Sequence, residues 1–406
     1  MTNLLTLDDM DLASLRGKRV FLRVDFNVPL SAASEVGDTT RLEEAMPTIR
    51  ELTAAGGIVL LASHLGRPKG KPDPRYSLRP VAAKLAELLG QVVRFAGDCV
   101  GEEVEKVVRE MKPGEVLLLE NLRFHPEEEK NEPGFADQLA ALAEVYVDDA
   151  FGAAHRAHAS VVGVPERLHA KAAGRLMARE VAALSRLLGE PERPFVVLLG
   201  GAKIEGKIDT LENLLPRLNV LLLGGGMANT FLAAEGFAMG ASLFEPERVE
   251  LAKQILERAK SRGIEVVLPS DLVVTDDLAN PQRIETVPAN GIPAGTKAVD
   301  IGPETRQAFA AAIGRARTLF WNGPLGVFEK PPFDAGTRAV AQALATCPGF
   351  SVIGGGETVA AVHQATPAGA AGRIGHISTG GGASLELLAG KVLPGVAVLE
   401  KPEKHW

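Results

Sequence analysis

The stretch "NVLLLGGGMANTFL", residues 219–232, joins a short apolar run to three glycines and then to a helical pattern. The same order recurs in "VIGGGETVAAV", residues 352–362. Backbone N–H groups at a helix start bind phosphate oxygens, and glycine lets a ligand come close to them. Both stretches therefore predict a strand, a phosphate-binding loop and a helix. Glu357 raises a question, because it places a carboxylate where an anion should bind.

Short apolar, β-branched runs alternate with amphipathic helical patterns along the whole chain. Examples are "GIVLLASH" (57–64) and "FVVLLGGAK" (195–203) for the former, and "ERVELAKQILERAKSRG" (247–263) for the latter. Continuous apolar runs between helices predict parallel strands that are covered on both faces. About ten such strands are too many for one sheet of this class, and they separate into four before residue 155 and the rest after residue 194. The sequence therefore predicts an α/β fold with two mainly parallel sheets.

Composition limits the possible functions. The chain has 406 residues, which suggests two or three domains, and a net charge of -7. That charge does not favour nucleic-acid or membrane partners. Only two cysteines occur, the N-terminal residues lack the pattern of a signal peptide, and no apolar run approaches about 18 residues. We therefore expect a cytoplasmic protein with no nucleic-acid or membrane partner.

The first half carries cationic and polar side chains just after its predicted strands. Because ligands of such folds gather at the carboxyl ends of strands, these side chains should lie together. Arginine binds phosphate and carboxylate through two parallel hydrogen bonds, so the predicted ligand is small and strongly anionic. No His/Cys/acid spacing here is typical of a transition-metal site. The residues concerned include Asp25, Asn27, Arg41, His64, Arg67, Arg123 and Arg156.

The second half offers features of a nucleotide site. Gly201, Gly206 and Lys207 nearly form a Walker A loop, but Ile208 replaces the Ser or Thr that would hold Mg²⁺. Lys203 and Lys207, four residues apart, are expected on one face of a helix start, where they could hold a polyphosphate. Neither glycine run matches the dinucleotide fingerprint, which disfavours a nicotinamide-dependent oxidoreductase. "WNGPLGVFE" (321–329) ends a strand with Asn322 and Pro324 and supplies Glu329 as an acceptor for ribose hydroxyls.

Ten segments together resemble the phosphoglycerate kinase family, in the family's order, from residue 20 to residue 390. They are "RVDFNVPL", "SHLGRP", "ENLRF", "DAFGAAHRAH", "GGAK", "GGGMANTFL", "DIGPET", "WNGPLGVFE", "GGGET" and "STGGGASLELL". The resemblance implies two Rossmann-like domains joined by a helical hinge. The implied divisions are a triose-phosphate-binding domain (1–173), a hinge helix (174–190), a nucleotide-binding domain (191–389) and a C-terminal segment that returns to the first domain (390–406).

The resemblance also implies ligands for individual residues. The triose ligand would contact Asp25, Asn27, Arg41, His64, Arg67, Arg123 and Arg156. The nucleotide would contact Lys203, Lys207, Gly224, Gly225, Asn322, Pro324, Glu329, Gly354, Gly355, Gly356, Glu357 and Thr358. Arg41, Lys203 and Lys207 would act on the transferred group. Glu357 stands where the family usually has the Asp that ligates Mg²⁺, which gives its carboxylate a role beside the phosphates.

The implied activity is phosphoglycerate kinase, a glycolytic reaction. It is a reversible phosphoryl transfer between 1,3-bisphosphoglycerate and ADP that gives 3-phosphoglycerate and Mg-bound ATP, within a monomer. The acceptor carboxylate is ionised at pH 7, so no general base is needed, and transfer depends on alignment and positive charge. The alternative is a non-catalytic phosphate- or nucleotide-binding relative, because Glu357 departs from the usual residue.

Overall fold

The computed structural model describes residues 3–365 and 374–401, and the chain divides into two compact units. Unit 1 comprises Met1–Ala182 and Val392–Trp406, and unit 2 comprises Ala183–Lys391. Each unit contains a six-stranded parallel sheet with helices, so the predicted α/β class is confirmed. No helix in the described ranges is long and apolar enough to cross a membrane.

Unit 1 has six parallel strands in the order β3-β4-β2-β1-β5-β6. The strands are β1 Arg19–Arg23, β2 Ile58–Ala62, β3 Val93–Phe95, β4 Val116–Leu118, β5 Val145–Asp148 and β6 Ala170–Ala173. Its helices are α1 Thr40–Ala54, α2 Arg79–Leu89, α3 Glu102–Arg109, α4 Pro126–Glu129, α5 Pro133–Ala141 and α6 Val164–Arg167, followed by α7 Arg175–Leu188, which runs into unit 2.

The four central strands of unit 1 are the four that the apolar runs predict. Leu22, Leu61, Leu118 and Val147 are fully buried in one core, and each such side chain contributes about 1.5–3 kcal/mol by leaving water. The two edge strands, β3 and β6, were not predicted. Strand β3 has three residues that are only partly buried, and β6 is mainly alanine, so neither shows the apolar, β-branched run of a central strand.

In its described residues, unit 2 has nine strands in two sheets, ordered β15-β14-β13-β7-β8-β9 and β11-β10-β12. The strands are β7 Phe195–Leu199, β8 Val220–Leu223, β9 Glu265–Val267, β10 Asp271–Thr275, β11 Ile284–Pro288, β12 Lys297–Ile301, β13 Thr318–Asn322, β14 Phe350–Gly354 and β15 His376–Ile377. The helices of unit 2 are α8 Ile208–Leu214, α9 Gly225–Ala234, α10 Val249–Ser261, α11 Pro303–Gly314, α12 Ala335–Ala345, α13 Gly356–Ala365 and α14 Gly382–Leu388. The last helix, α15 Pro394–Ala397, belongs to unit 1.

The three-stranded sheet of unit 2 is antiparallel and was not predicted as a separate layer. Strand β11 alternates between exposed and partly buried residues, so it lacks the continuous apolar run that marks the parallel strands. Strand β10 follows β9 after only three residues, and the sequence pattern merges the two. The rest of unit 2 agrees with the prediction of parallel strands alternating with helices.

The C-terminal segment packs on unit 1. Leu5 N donates to Leu399 O at 2.8 Å, and Gly395 N donates to Ala154 O at 2.9 Å. Lys401 also forms an ion pair with Asp9 at 2.7 Å. These contacts tie both ends of the chain to one unit. The last five residues of the expected segment, 402–406, lie outside the described residues.

Candidate active site

The polar residues of unit 1 meet at the carboxyl ends of β1 and β2, beside the β1/β5 junction where the strand order reverses. Such switch points are where ligands of open α/β sheets bind. Strand β1 ends at Arg23, and Asp25 and Asn27 lie in the loop that follows it. Asn27 N donates to Asp25 Oδ1 at 3.2 Å, and Asn27 Oδ1 accepts from Gly66 N at 2.8 Å.

Arg41 lies in the first turn of α1, where its charge opposes the helix dipole. The Asp25 carboxylate pairs with it. Burial favours the neutral form of Asp25, but the electrostatic interactions with His64, Arg41 and Arg23 and the hydrogen bond from Asn27 N outweigh that effect and hold its pKa below the usual range. The pair therefore keeps the cation in place at the helix start, half-buried and next to the strand ends.

Arg123 lies in a turn, Leu122–Phe124, that Asn121 connects to the loop after β2. Asn121 Oδ1 accepts from Arg123 N at 3.0 Å, and the Arg123 guanidinium donates to Gly66 O at 2.9 Å. Burial, together with the charges of Arg23 and Arg156, lowers the pKa of Arg123. Cations that disfavour one another in this way are stabilised when an anion binds between them.

His64 is buried beside the same cations. Burial and the charges of Arg23 and Arg123 lower its pKa well below the usual value, so the ring is neutral at pH 7. It can therefore exchange a hydrogen bond with a ligand without adding charge. Arg67, by contrast, is exposed. The structure thus places Asp25, Asn27, Arg41, His64, Arg123 and Arg156 in one group, whereas no contact connects the exposed Arg67 with it in the described residues.

Arg23 was not predicted as a residue of this site. It is fully buried at the end of β1, where its guanidinium donates to Ser160 Oγ at 2.8 Å and lies 3.2 Å from His64 Nδ1. Ser160 in turn donates through Oγ and N to the two oxygens of the fully buried Glu128, at 2.5 and 2.9 Å. A charged residue inside the apolar run "VFLRVDF" was the available signal, because a buried cation requires a partner.

His158 also borders this network, 3.9 Å from a carboxylate oxygen of Glu128. Burial, followed by the charges of Arg23 and Arg123, lowers the pKa of His158 to about 3. The ring is therefore neutral, and its contact with Glu128 is not an ion pair at physiological pH. The buried Glu128 carboxylate balances the charge of Arg23 instead.

The second polar group lies in unit 2, where β7 and β13 are neighbours and the strand order again reverses. Gly200 N donates to Asn322 O at 2.9 Å, which brings the two strand ends together. Gly323 has φ +98°, and a Cβ there would lie 2.4 Å from the backbone of Gly200. Only glycine allows this approach.

Lys207 is half-buried at this junction, where its Nζ donates to Gly200 O. Burial lowers its pKa to about 8, and the carboxylate of Glu357 acts in the opposite direction. The expectation that Lys203 and Lys207 share a helix face is wrong. Helix α8 begins only at Ile208, and residues 201–207 form a loop whose Ile204 N donates to Glu245 at 2.5 Å. Lys203 is exposed on that loop.

A cavity of about 280 Å³ opens beside this junction, between the glycine loops and the antiparallel sheet. Of the predicted residues, Gly225, Pro324, Glu329 and Glu357 line it. An apolar wall was not predicted, because single apolar residues spread over strands β10 and β12 and several loops form no motif that marks a binding site. That wall includes Leu243, Leu272, Leu278, Val299 and Val327, with Lys297 and Asp300 nearby.

Several predicted residues set the shape of the backbone around the cavity. Gly224 N and Gly225 N donate to Leu199 O and Leu325 O at 2.9 and 3.2 Å, so these two amides are already paired. Asn322 is buried behind Gly354 and Gly355, while Thr358 is buried with its Oγ1 accepting from Gly323 N at 2.6 Å. Gly356 and Glu357, in contrast, are exposed in the first turn of α13, where backbone N–H groups lack intrahelical partners.

An arginine cluster at the strand ends of one α/β unit, and a glycine-bounded cavity with a lysine in the other, define a two-domain phosphotransferase. The chain belongs to the phosphoglycerate kinase family, whose model, described as "Phosphoglycerate kinase", matches residues 7–391. It is therefore an enzyme, a kinase.

Similar proteins support the same assignment. A phosphoglycerate kinase of Moorella thermoacetica is 55% identical over 97% of this chain and 98% of its own length, and one of Desulforudis audaxviator is 54% identical over the same shares. A solved phosphoglycerate kinase structure from Coxiella burnetii is 37% identical, covers 98% of both chains and has a TM-score of 0.87. One from Pyrococcus horikoshii is 32% identical, with a TM-score of 0.84 and the same coverage.

Proposed function

We propose that this chain transfers a phosphoryl group reversibly between 1,3-bisphosphoglycerate and ADP, giving 3-phosphoglycerate and ATP. The proposal rests on one observation: each unit has a polar site at the point where its strand order reverses. The site of unit 1 is cationic, and the site of unit 2 is lined by glycine. Membership of the family and the names of relatives at 54–55% identity support the catalytic role over a non-catalytic binding relative.

The triose ligand binds the cluster of unit 1. Arg123 and Arg156 bind the phosphate that is not transferred, since their mutual repulsion is relieved by a dianion. Arg41 binds next to the carboxyl group that exchanges the phosphoryl group, while neutral His64 supplies a hydrogen bond. Asp25 and Asn27 accept from the ligand hydroxyl and hold the surrounding loops, and Arg67 covers the outer side.

The nucleotide binds the cavity of unit 2. Its base occupies the apolar wall around Leu272 and Val299, and Glu329 accepts from the ribose hydroxyls. Phosphates extend towards Lys203, Lys207 and the first turn of α13, where Gly356 and the following amides are available. The backbone around the cavity is held in place by Gly224, Gly225, Asn322, Pro324, Gly354, Gly355 and Thr358.

Glu357 fits a role as ligand of nucleotide-bound Mg²⁺. It is an exposed carboxylate that lines the cavity, and carboxylate oxygens together with phosphates are the usual partners of this ion. When bound, Mg²⁺ neutralises phosphate charge and orients the phosphate chain. Glu is one methylene longer than the usual Asp, so it ligates in a bent rotamer or through a water molecule.

The reaction needs no covalent intermediate. The acceptor carboxylate is ionised at pH 7 and attacks the phosphorus atom in line as the bond to ADP breaks. Charge on the three equatorial oxygens of the transferred group is stabilised by Arg41, Lys203 and Lys207. The chain residues thus supply position and charge rather than a proton relay.

Because the two ligands bind different units, we propose that α7 acts as a hinge and that the units close when both ligands are present. We also propose that the protein acts as a monomer, because one chain contains all the residues that the reaction needs. We place it in the cytoplasm, as its sequence leads us to expect. Small-angle scattering should give a smaller radius of gyration with both ligands than with either alone. Equal values for all complexes would contradict the hinge.

Separate titrations test the two sites. Calorimetry should detect one site for 3-phosphoglycerate, weakened by Arg123→Ala, and one for ADP, which the same substitution leaves unchanged. NAD should not bind in the ADP site. Competition between ADP and 3-phosphoglycerate for a single site would contradict the assignment of two.

A further inference from the structure

Three side chains of unit 1 with different metal-binding groups meet outside the proposed active site. Asp98 and Cys99 follow β3, and His125 follows the turn after β4; these two strands are neighbours in the sheet. Within the described residues, one carboxylate oxygen, the thiol sulfur and one imidazole nitrogen of this trio lie within 4.8 Å of one another. The fold brings His125 to the adjacent pair Asp98 and Cys99, although about two dozen residues separate the pair from His125 in the sequence.

The trio converges on one carboxylate. His125 Nε2 lies 2.7 Å from Asp98 Oδ1, and the Cys99 thiol also hydrogen-bonds to Asp98. Cys99 is fully buried, His125 is half-buried and Asp98 is exposed, so solvent reaches the group from the carboxylate side.

We propose that Asp98, Cys99 and His125 form a binding site for a Zn²⁺-class transition metal. Thiolate, imidazole and carboxylate are the ligand types that zinc prefers, and three protein ligands leave a fourth position for water. Zinc bonds of about 2.0–2.3 Å in tetrahedral geometry put neighbouring ligand atoms about 3.3–3.6 Å apart. The 2.7 Å between His125 Nε2 and Asp98 Oδ1 and the 4.8 Å limit for the whole group bracket that spacing.

The charges balance on binding. The metal bonds to sulfur as the S–H bond breaks, and the thiol proton leaves to solvent; the metal also binds the lone pair of His125 Nε2, whose neutral ring keeps its one proton on Nδ1. One thiolate and one carboxylate then neutralise the two positive charges of the ion. Glu127 and Glu128 add negative potential, since their charges act on His125 and Cys99 respectively. Mg²⁺ would not bind here, because it prefers oxygen ligands.

The competing interpretation is an ordinary His–Asp contact next to a buried cysteine. It predicts no metal binding, whereas the proposal predicts a metal–thiolate bond that has a spectroscopic signature. Co²⁺ serves as the probe because it takes tetrahedral sites similar to those of zinc and, with a thiolate ligand, gives a charge-transfer band in the near ultraviolet. The chain offers a matched control in Cys347, its other cysteine, which lies in unit 2.

The full chain is titrated with Co²⁺, and Zn²⁺ is then added. We expect one equivalent of Co²⁺ to produce the charge-transfer band in the wild type and in Cys347→Ser, and Zn²⁺ to remove it. Cys99→Ser should abolish the band. His125→Gln and Asp98→Asn should weaken Zn²⁺ binding by more than about 100-fold, the upper range for loss of an outer-shell partner.

Circular dichroism checks that each variant is folded. Should Cys99→Ser fail to fold, His125→Gln decides the matter, since this side chain is half-exposed. Absence of the band in the wild type, its loss in Cys347→Ser, or Zn²⁺ affinity unchanged by His125→Gln would each overturn the proposal.

Discussion

Replacing Glu128 with alanine should destabilise unit 1 strongly, although this residue is not predicted to touch any ligand. Its two carboxylate oxygens accept from Ser160 Oγ and N at 2.5 and 2.9 Å, and its charge acts on the fully buried Arg23. The alanine variant leaves both Ser160 donors without their acceptor and deprives Arg23 of a nearby anion.

The magnitude follows from these contacts. A buried donor that loses its acceptor costs about 1–3 kcal/mol, and breaking a buried charge pair costs about 3–5 kcal/mol. The two terms overlap because Ser160 links Glu128 to Arg23, so we expect a total loss of about 3–5 kcal/mol. Glu128→Gln keeps the shape of the side chain and one acceptor oxygen, so it should lower the free energy of unfolding by less than Glu128→Ala does.

Hydrogen exchange measures this effect within the unit, because the chain need not unfold in one step. Protected amides of β1 and β5 should exchange roughly 100- to 5,000-fold faster in Glu128→Ala, while β13 of unit 2 remains unchanged. Glu127→Ala is the control, since Glu127 is partly exposed and should change stability by less than about 0.5 kcal/mol. Equal exchange rates in Glu128→Ala and Glu127→Ala would refute the reasoning.

Three further predictions concern the proposed site. Arg41→Ala should lower kcat by roughly 100-fold or more, whereas Arg123→Ala should mainly raise KM for the triose substrate; small, equal effects in steady-state kinetics would argue against this cluster. Glu357→Gln should require more Mg²⁺ for half-maximal rate, and Glu357→Asp should stay active; superimposable Mg²⁺ titrations would exclude the metal role. Burial lowers the pKa of Lys207 to about 8. The charge of Lys207 is therefore lost as pH rises through that value. KM for ADP should increase above this pH in the wild type but not in Lys207→Arg. Identical pH profiles of the two proteins would contradict a role for the Lys207 charge in binding ADP.

The sequence predicts the parts of the fold that depend on buried, continuous apolar strands. Strands β1, β2, β4 and β5 were predicted, whereas the edge strands β3 and β6 were not, because β3 is only partly buried and β6 is mainly alanine, so neither is an apolar, β-branched run. The antiparallel sheet was missed for a similar reason. Its strand β11 alternates in exposure, and sequence alone does not show which layer it joins.

For the site, motif residues were predictable, but their individual surroundings were not. Lys207 and Lys203 share a motif, yet one is half-buried and the other exposed, because the loop before α8 is held by the distant Glu245. Arg23 and Glu128 lie 105 positions apart, and Ser160 connects them only after folding. Contacts of this kind depend on tertiary structure, which no local pattern contains.

The most direct test of the proposed reaction is a coupled turnover assay with ATP, 3-phosphoglycerate and Mg²⁺. Formation of ADP should depend on 3-phosphoglycerate, and hydroxylamine should trap an acyl phosphate in an amount equal to the ADP formed. Both products should disappear when Mg²⁺ is removed by a chelator and return when it is restored. Binding of both ligands without formation of ADP and acyl phosphate would contradict the proposed activity and identify the chain as a non-catalytic member of its family.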